Sequence, residues 1–301
     1  MSCEGGRRVA LERWEMTESC CTLEELKKRS RWLNRSASNV YSQAGEDGII
    51  AKALTMLPAT NRWCVEFGAW NGKYLSNTYN LVENSQYNAV LIEGDQRRYQ
   101  SLCREYPFKD RAIFVGQFVG WTEHENLDTI LGRHPIPLDF DLLSIDVDGN
   151  DYHIWEAVKK YRPKCVLIEF NPTSSNRMDY VQPADPRCTR GCSPAALVRL
   201  GKEKGYEVIC VTELNLLFVD RQYFEIFAIP DNSLAVMRDE DKVISTYIGY
   251  DGYILSDNPF HLPWHGIGFK MKQPLPQVLR TYPDNYNPFQ RFLYRVRRRL
   301  S

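Results

Sequence analysis

Five short apolar segments, each followed by a helical pattern, constrain the fold of this chain more than any other feature. Strands that are apolar throughout, instead of alternating with polar residues, indicate a sheet that is buried on both faces. Alternation of such strands with helices indicates that the strands run parallel. The sequence therefore predicts an α/β fold of Rossmann-like type. The predicted strands are residues 63–67, 88–95, 111–116, 141–148 and 164–170.

Two further predicted strands, at residues 206–212 and 216–219, are separated by only a short turn. A parallel connection needs a crossover of a dozen or more residues, so the final strand has to run antiparallel to its neighbours. A mainly parallel sheet with one terminal antiparallel strand is the sandwich of the class I methyltransferases. In such open sheets, ligands bind beyond the carboxyl ends of the strands, where the strand order reverses.

Helix-start signals place the intervening helices. A capping box, Thr22-Leu-Glu-Glu25, predicts a helix through about Trp32, and Ser193-Pro194 predicts one that ends at Gly205. Residues 221–229 fit either a helix or a strand. The segment 41–50 is predicted to turn into a helix that ends near Leu57. Further helices are predicted over residues 73–84, 96–106 and 151–161, and one more is predicted to begin at Thr122-Glu-His-Glu125.

Composition excludes several classes of protein. The 301 residues carry 38 basic and 38 acidic side chains, which argues against a nucleic-acid-binding surface over the whole protein. No apolar run approaches the roughly 20 residues of a transmembrane span, and the amino terminus lacks the hydrophobic core of a signal peptide. The nine cysteines are odd in number, and three lie inside predicted strands, where thiols behave as small hydrophobes. We expect a cytoplasmic protein.

Acidic residues stand at or near the carboxyl ends of four predicted strands. Because the carboxyl ends of parallel strands meet at one edge of a sheet, we expect these side chains to share one rim. The five acids are Glu66, Glu93, Asp146, Asp148 and Glu169.

The loop after the first strand, Gly68-Ala-Trp-Asn-Gly72, contains two glycines that let a ligand approach the backbone closely. It lacks the Gly-x-Gly-x-x-Gly pattern that seats a pyrophosphate, so a ligand without phosphate fits better. Glu93 follows Glu66 by 27 residues, one strand-helix-strand unit, where a carboxylate can accept hydrogen bonds from both hydroxyls of a ribose. Glu93 can also cap the following helix, although Asp95 is better placed for that.

Five ordered segments resemble the FkbM-type S-adenosylmethionine-dependent methyltransferases. The resemblance implies an S-adenosyl-L-methionine cofactor and a small polar or sugar-like acceptor that is most readily methylated on oxygen. The resemblance runs from about Tyr41 to Val219, and we divide the chain into an N-terminal helical extension (1–40), a methyltransferase domain (41–229) and a C-terminal extension (230–301). The segments are Ser42-Gln-x-Gly-Glu-Asp47, Glu66-Phe-Gly68, Leu91-Ile-Glu93, Ser144-Ile-Asp-Val-Asp-Gly149 and Ile168-Glu-Phe-Asn171.

The resemblance also implies roles for particular positions. Asp146 faces the methyl-transfer centre, and Gln43, with Glu46 and Asp47, forms a lid over the cofactor. Asp148 departs from the family, because many relatives carry a Thr-Glu-Gly version of Asp-Val-Asp-Gly. The remaining implied cofactor contacts are Glu66, Gly68, Ala69 and Asn71 for the amino-acid and nucleoside portions, Glu93 and Gly94 for the ribose, and Gln117 and Phe118 for the adenine.

An oxygen or nitrogen acceptor has to lose a proton, and the candidate general bases are Asp146, Asp148 and His153. As a second possibility, Asp146 and Asp148 with Glu169 and Asn171 bind Mg²⁺, since hard oxygen ligands suit that ion. The Asp146-Val-Asp148 pair also fits a metal-dependent glycosyltransferase or a dehalogenase-type phosphatase. The first leaves the acids of strands one and two unexplained, and the second expects the motif on the first strand. A protein that binds the cofactor without catalysis is a further alternative.

The C-terminal extension is rich in aromatic residues, Gly and Pro. Residues 247–253 and 261–266 can form a substrate pocket or a packed loop, and His265 is the most plausible substrate-side residue there. The tail at 289–300 places five arginines among apolar residues, which fits contact with an anionic surface or a solvated helix. Cys188 and Cys192 are spaced to clip a loop or to join a metal site.

Overall fold

The structure is a computed structural model that describes residues 22–249, 253–257, 261–262, 267–268 and 283–300. Its centre is a seven-stranded sheet with the order β3-β2-β1-β4-β5-β7-β6. The first five strands pair in parallel, and β7 runs antiparallel to both β5 and β6, which confirms the predicted fold class. The strands are β1 Trp63–Phe67, β2 Asn88–Ile92, β3 Ala112–Val115, β4 Leu142–Ile145, β5 Cys165–Glu169, β6 Tyr206–Val211 and β7 Asn215–Asp220.

Nine α-helices occur among the described residues, and none of these is long and apolar enough to cross a membrane. They are α1 Leu23–Ser30, α2 Glu46–Met56, α3 Tyr79–Ser85, α4 Gln96–Glu105, α5 Leu127–Leu131, α6 Asp151–Ala157, α7 Pro194–Glu203, α8 Leu234–Met237 and α9 Pro288–Leu300. Short 3-10 helices cover Trp32–Ser36, Lys109–Arg111, Arg221–Phe227 and Pro283–Asn285. Two small antiparallel pairs are β8 Thr246–Ile248 with β9 Ile254–Ser256, and β10 His261–Leu262 with β11 Ile267–Gly268.

Three helix starts follow the predicted capping chemistry. In the capping box, Glu25 N donates to Thr22 Oγ1 at 3.2 Å while Thr22 N donates to Glu25 Oε2 at 3.0 Å. The Ser193 hydroxyl accepts from Ala196 N at the start of α7. The Asp95 carboxylate accepts from the backbone N–H groups of Arg97 and Arg98 in the first turn of α4. These helices begin where local sequence signals place them.

Two helices are shorter than predicted because carboxylates hold neighbouring backbone out of the helix. Residues 73–78 form turns instead of the start of α3, since Glu66 binds residues 76–78. The helix predicted to reach residue 161 ends at Ala157, since the Asp128 carboxylate accepts from the backbone N–H groups of residues 159–161. The signal at Thr122 is also misplaced, because Asn126 caps α5.

The core lies on both faces of the sheet. The central strands are almost completely buried, and the buried free thiols of Cys64 in β1, Cys165 in β5 and Cys210 in the edge strand β6 lie inside strands, as predicted. Cys188 and Cys192 are also free, so the predicted loop clip is wrong. Burial raises the pKa of the Cys192 thiol to about 11, which keeps it protonated.

A buried ion pair lies at the amino-terminal ends of the central strands. Lys164 Nζ lies 2.6 Å from Asp141 Oδ1, and the two side chains are 6% and 0% exposed. The Asp141 carboxylate also accepts from the backbone N–H groups of Asn61 and Arg62. Because these groups precede β5, β4 and β1 respectively, one carboxylate aligns the starts of three strands.

Candidate active site

The strand order reverses between β1 and β4, and the carboxyl ends of these two strands open the crevice where ligands bind in such sheets. Gly68 follows β1 with φ +75°, and a β carbon built there would lie 2.2 Å from the carbonyl oxygen of Asp146. Gly72 has the same φ, and its β carbon would lie 2.6 Å from the Tyr106 ring. Both glycines therefore accommodate close contacts within the protein, whereas the sequence predicted them to admit a ligand.

Glu66 organises the loop that leads into α3. It is 5% exposed, and its Oε2 accepts from Ser76 Oγ and Thr78 Oγ1, each at 2.6 Å. Its Oε1 accepts from Asn77 N at 2.7 Å. Burial raises the pKa of this carboxyl, and the three hydrogen bonds partly oppose that shift. At the predicted cofactor position, Glu66 thus shapes the crevice wall.

Glu93 joins the first two strand ends. Its Oε2 accepts from Trp70 N and its Oε1 accepts from Asp95 N, both at 2.8 Å. Asp95 caps α4, so the alternative of Glu93 as a helix cap is wrong. Each carboxylate oxygen keeps a second acceptor position, which leaves Glu93 able to receive hydroxyl donors.

The remaining predicted cofactor residues surround Glu93. Phe118 is 74% exposed, and a β carbon on Gly94 would lie 2.2 Å from its ring, so the ring lies directly against that glycine. Ala69 N donates to the Ile92 carbonyl. The structure thus presents an open aromatic surface next to a carboxylate.

Asn71 and Gln117, two further residues predicted to contact the cofactor, make hydrogen bonds within the protein. Asn71 Oδ1 accepts from the backbone N–H groups of Lys73 and Tyr74, which fixes the loop after β1. Gln117 accepts from Arg133 Nη1 at 3.4 Å. The exposed ring of Trp70, in the same loop, lies 4.1 Å below the Arg98 guanidinium.

Three of the predicted acids converge as a cluster. Oxygen atoms of Asp146, Asp148 and Glu169 all lie within 4.8 Å of one another. In the part of the chain that the structure describes, none of these carboxylates accepts a hydrogen bond or meets a cation. We call Asp146, Asp148 and Glu169 the acid cluster. Three carboxylates without donors form a strong site for cations or for hydroxyl and ammonium donors.

Burial and mutual repulsion act on the acid cluster. Burial, followed by repulsion from Asp151 and Asp148, raises the pKa of Asp146 to about 7. The pKa of Glu169 rises to about 10, first through burial and then through the negative charge of Asp146. Asp146 therefore exchanges its proton near neutral pH, which suits a general base.

Asp151 is a site residue that the sequence did not predict. It is 3% exposed, and its carboxylate accepts from the backbone N–H groups of Val147 and Gly149 at 3.0 Å each. This contact shapes the turn in which Asp148 adopts φ +55°. Burial raises the pKa of Asp151 to about 6. The sequence signal that could have identified Asp151 is its position as the third acid in the run Asp-Val-Asp-Gly-Asn-Asp.

His153 and Asn171 are placed differently from the acid cluster. The Nε2–H of His153 donates to the Gln182 carbonyl at 2.8 Å, and its ring lies beside Trp121. Asn171 Oδ1 accepts from the N–H and the hydroxyl of Thr173, while its amide donates to the Arg190 carbonyl. Both side chains hold the loop between β5 and α7. The predicted metal donors that come together are thus three carboxylates.

Gln182 fixes that loop over the cluster. It is 1% exposed, its amide donates to Asn150 Oδ1 and the Cys188 carbonyl, and its oxygen accepts from the backbone N–H groups of Arg190 and Gly191. The resulting cleft has a volume of about 480 Å³. Its polar lining includes Gln43, Asp148, Asp151, Glu169, Asn171 and Arg190.

Arg190 had no local sequence signal, since only the tertiary path of this loop brings it to the cleft. A larger cavity of about 790 Å³ lies between α7 and α8, with Val198 and Leu234 in its wall, and no residue of the acid cluster lines it.

The first turn of α2 lies against the same rim. Glu46 is 1% exposed, and its Oε1 accepts from Asn215 Nδ2 at 2.6 Å and from Thr212 Oγ1 at 3.0 Å. Asp47 accepts from the backbone N–H groups of residues 40–42. Buried oxygens without a partner are found on Glu46, Asn77 and Asn215. His265, by contrast, lies outside the described residues.

The chain matches no protein-family model and no curated protein. It is similar to the solved structure of M. capricolum TrmK with S-adenosyl-homocysteine, at 13% identity over 57% of this chain and 67% of that chain, with a TM-score of 0.36. It is also similar to the EvdMO1 N-terminal domain with S-adenosyl-homocysteine and D-fucose, at 10% identity over 66% of this chain and 96% of that chain, with a TM-score of 0.39. A third similar structure is the glycopeptide N-methyltransferase MtfA with S-adenosyl-L-methionine, at 12% identity over 56% of this chain and 84% of that chain, with a TM-score of 0.35. The FkbM-type resemblance stays a prediction. We base the proposed function on the residues of the site.

Proposed function

We propose that this chain is an FkbM-type, S-adenosylmethionine-dependent methyltransferase that methylates a hydroxyl of a small polar or sugar-like molecule. The observation that carries the proposal is the acid cluster, whose carboxylates have no hydrogen-bond donor or cationic side chain as a partner among the described residues. The cluster lies at the carboxyl ends of the strands, where the strand order reverses. Beside it, Glu93 and Phe118 form a second, separate recognition surface. One crevice thus offers room for a cofactor and an acceptor.

Glu93 and Phe118 suit the nucleoside part of the cofactor. The Glu93 carboxylate can accept from the two ribose hydroxyls, as far as its backbone contacts leave acceptor positions open. The exposed Phe118 ring offers a flat apolar surface to the adenine. Nothing in Gly68-Ala-Trp-Asn-Gly72 provides the glycine pattern that seats a pyrophosphate, which favours a nucleoside without phosphate.

The cleft beside the acid cluster suits the acceptor. Carboxylates take hydrogen bonds from hydroxyl groups, and Gln43 and Arg190 add polar contacts at the cleft wall. S-adenosylmethionine supplies the electrophilic sulfonium methyl group when bound. The acceptor oxygen would bond to the methyl carbon as the bond between that carbon and the sulfonium sulfur breaks, which leaves S-adenosylhomocysteine, and the hydroxyl proton would pass to the carboxylate of Asp146 or Asp148. Holding oxygen and methyl in line can lower the barrier by several kcal/mol.

A divalent cation is a second ligand that we propose for the acid cluster. Three carboxylate donors within 4.8 Å of one another fit a hard ion such as Mg²⁺, which prefers oxygen ligands and keeps some of its waters. Asp146, Asp148 and Glu169 would hold the ion, which would acidify the acceptor hydroxyl. Asn171 has no place in this donor set because Thr173 occupies its oxygen.

The alternatives predict different binding. A metal-dependent glycosyltransferase would bind a nucleoside diphosphate at the Asp146-Val-Asp148 turn and would leave Glu93 and Phe118 without a ligand. A non-catalytic protein would bind the cofactor and transfer no methyl group. Calorimetry followed by a methyl-transfer screen separates the three.

Titration calorimetry with S-adenosylmethionine and S-adenosylhomocysteine tests the cofactor. We expect native protein to bind both, and we expect Glu93→Ala and Phe118→Ala each to weaken binding at least tenfold. Phe118 is included because it is exposed, so its loss leaves the core intact, whereas Glu93 also holds the loop after β1. Leu138→Ala is the control, since Leu138 is 51% exposed and precedes β4 at the opposite edge of the sheet.

Failure of folded native protein to bind either compound would overturn the cofactor assignment. Unchanged binding to both variants would show that the nucleoside does not contact Glu93 and Phe118. A screen of polyols and sugars with radiolabelled methyl donor then tests turnover, and binding without any transfer would favour the non-catalytic alternative.

A further inference from the structure

The C-terminal helix α9 carries an exposed apolar stripe on the side opposite to its contact with Tyr286. Phe289, Phe292 and Val296 are 60%, 61% and 40% exposed, and their spacing of three and four residues places them on one side of the helix. On the other side, the Tyr294 ring packs edge-on against Tyr286, with centroids 5.6 Å apart. Tyr286 is itself buried, so this contact fixes which side of α9 turns outward.

The same helix is strongly basic. Five arginines and no acidic residue lie between positions 288 and 300, although the whole chain has no net charge. The helical repeat places Arg299 at one margin of the apolar stripe and Arg291, Arg295 and Arg298 further round the helix. Their long side chains can extend past the apolar stripe and keep their charges at a polar boundary.

From this arrangement we propose that α9 docks on an anionic lipid surface, with Phe289, Phe292 and Val296 inserted at the headgroup boundary and the arginines contacting acidic headgroups. A basic helix with a strongly apolar face is the kind that lies in the plane of a bilayer. Each arginine adds electrostatic attraction to an acidic leaflet. The helix is about 20 Å long, so the whole stripe can lie parallel to the surface.

Charge and shape favour lipid over other occupants. A second copy of α9 would bring ten arginines together across the shared stripe, which opposes pairing. Nucleic acid would satisfy the arginines and would leave the exposed phenylalanines in water. A bilayer with acidic headgroups satisfies both features at once, and this docking is independent of the proposed methyl transfer.

Vesicle flotation of the full chain tests the proposal. We expect binding to phosphatidylcholine vesicles that contain about 30% phosphatidylserine, and weak binding to pure phosphatidylcholine. Arg295→Glu/Arg299→Glu, at the two arginines that lie nearest the apolar stripe, and, separately, Phe289→Ser/Phe292→Ser should each weaken binding at least tenfold. The matched control is Lys28→Glu/Arg29→Glu, which makes the same charge change at two exposed residues of α1. Circular dichroism checks that each variant is folded.

Several results would overturn the proposal. These are no flotation of the native chain with acidic vesicles, an equal loss in the α1 control, or flotation that survives both sets of α9 changes. Binding to an oligonucleotide without binding to vesicles would assign α9 to nucleic acid. A mass that doubles with concentration and depends on Phe289 and Phe292, again without vesicle binding, would assign it to a second copy.

Discussion

The backbone at Gly68 lies directly against the carbonyl oxygen of Asp146, so closely that a β carbon at Gly68 would stand 2.2 Å from that oxygen. These two residues follow β1 and β4, the strands between which the sheet order reverses. Their contact joins the crevice wall that follows β1 to the wall that follows β4 and carries Asp146 of the acid cluster. A change at Gly68 should therefore affect both the fold and the site.

Gly68→Ala should destabilise the protein by about 3 kcal/mol, because alanine is strained at φ +75° and its methyl group meets fixed backbone. Urea unfolding measures the loss. Gly132→Ala is the comparison, since Gly132 has φ −60° and its β carbon would lie 3.1 Å from the Asp128 carbonyl oxygen, a tight but less severe contact, so we expect a smaller loss. Equal stability of the two variants would contradict the close contact.

Asp141→Asn should cost about 3 to 5 kcal/mol of unfolding free energy, because it leaves the buried Lys164 ammonium without its charged partner. Adding Lys164→Met should recover part of that loss. Asp139→Asn serves as the comparison, since Asp139 is 70% exposed and 3.9 Å from the same ammonium, and we expect a loss below about 1 kcal/mol. A similar effect of both single changes would show that the Lys164–Asp141 pair does not secure the strand starts.

Glu46 should make stability depend on pH. Burial raises its pKa from 4.5 to about 7, with Asp47 and Glu66 adding repulsion. Below pH 4.5 both states keep the proton, whereas between pH 4.5 and 7 the unfolded chain releases it more readily. Stability relative to Glu46→Gln should thus fall as pH rises through this window, by about 3 kcal/mol at most, and level off above it.

Urea unfolding of the native protein and Glu46→Gln at several pH values between 4 and 8 measures this difference. The other buried acids are present in both proteins, so their contributions largely cancel. A stability difference that does not change with pH would show that Glu46 ionises equally in the folded and unfolded chains.

Asp148→Asn and Glu169→Gln should each weaken Mg²⁺ binding at least tenfold in calorimetry, because each removes one of three carboxylate donors. Asp185→Asn is the control, since Asp185 pairs with Arg187 at the surface. A chelator should also abolish methyl transfer. Turnover that a chelator leaves unchanged would rule out an essential ion while leaving the cofactor assignment intact.

The amino-acid pattern was enough to predict the seven strands to within a few residues, the parallel sheet with its antiparallel end, and the caps at Thr22, Asp95 and Ser193. These features depend on neighbouring residues, since apolar runs, helix-start residues and short turns act within a few positions. The strand-end acids were also predictable, because parallel strands deliver their carboxyl ends to one edge. Asp146, Asp148 and Glu169 do meet there.

Which of these groups act together became visible only in the folded chain. Glu66 binds residues 76–78, and Asp128 holds residues 159–161 out of α6. Gln182 turns the 172–192 loop so that Arg190 reaches the cleft, while His153 holds that loop instead of joining the acids. Each outcome depends on a hydrogen bond between groups at least eight residues apart in the sequence. Such bonds outweigh local helix propensity, and no local pattern encodes them.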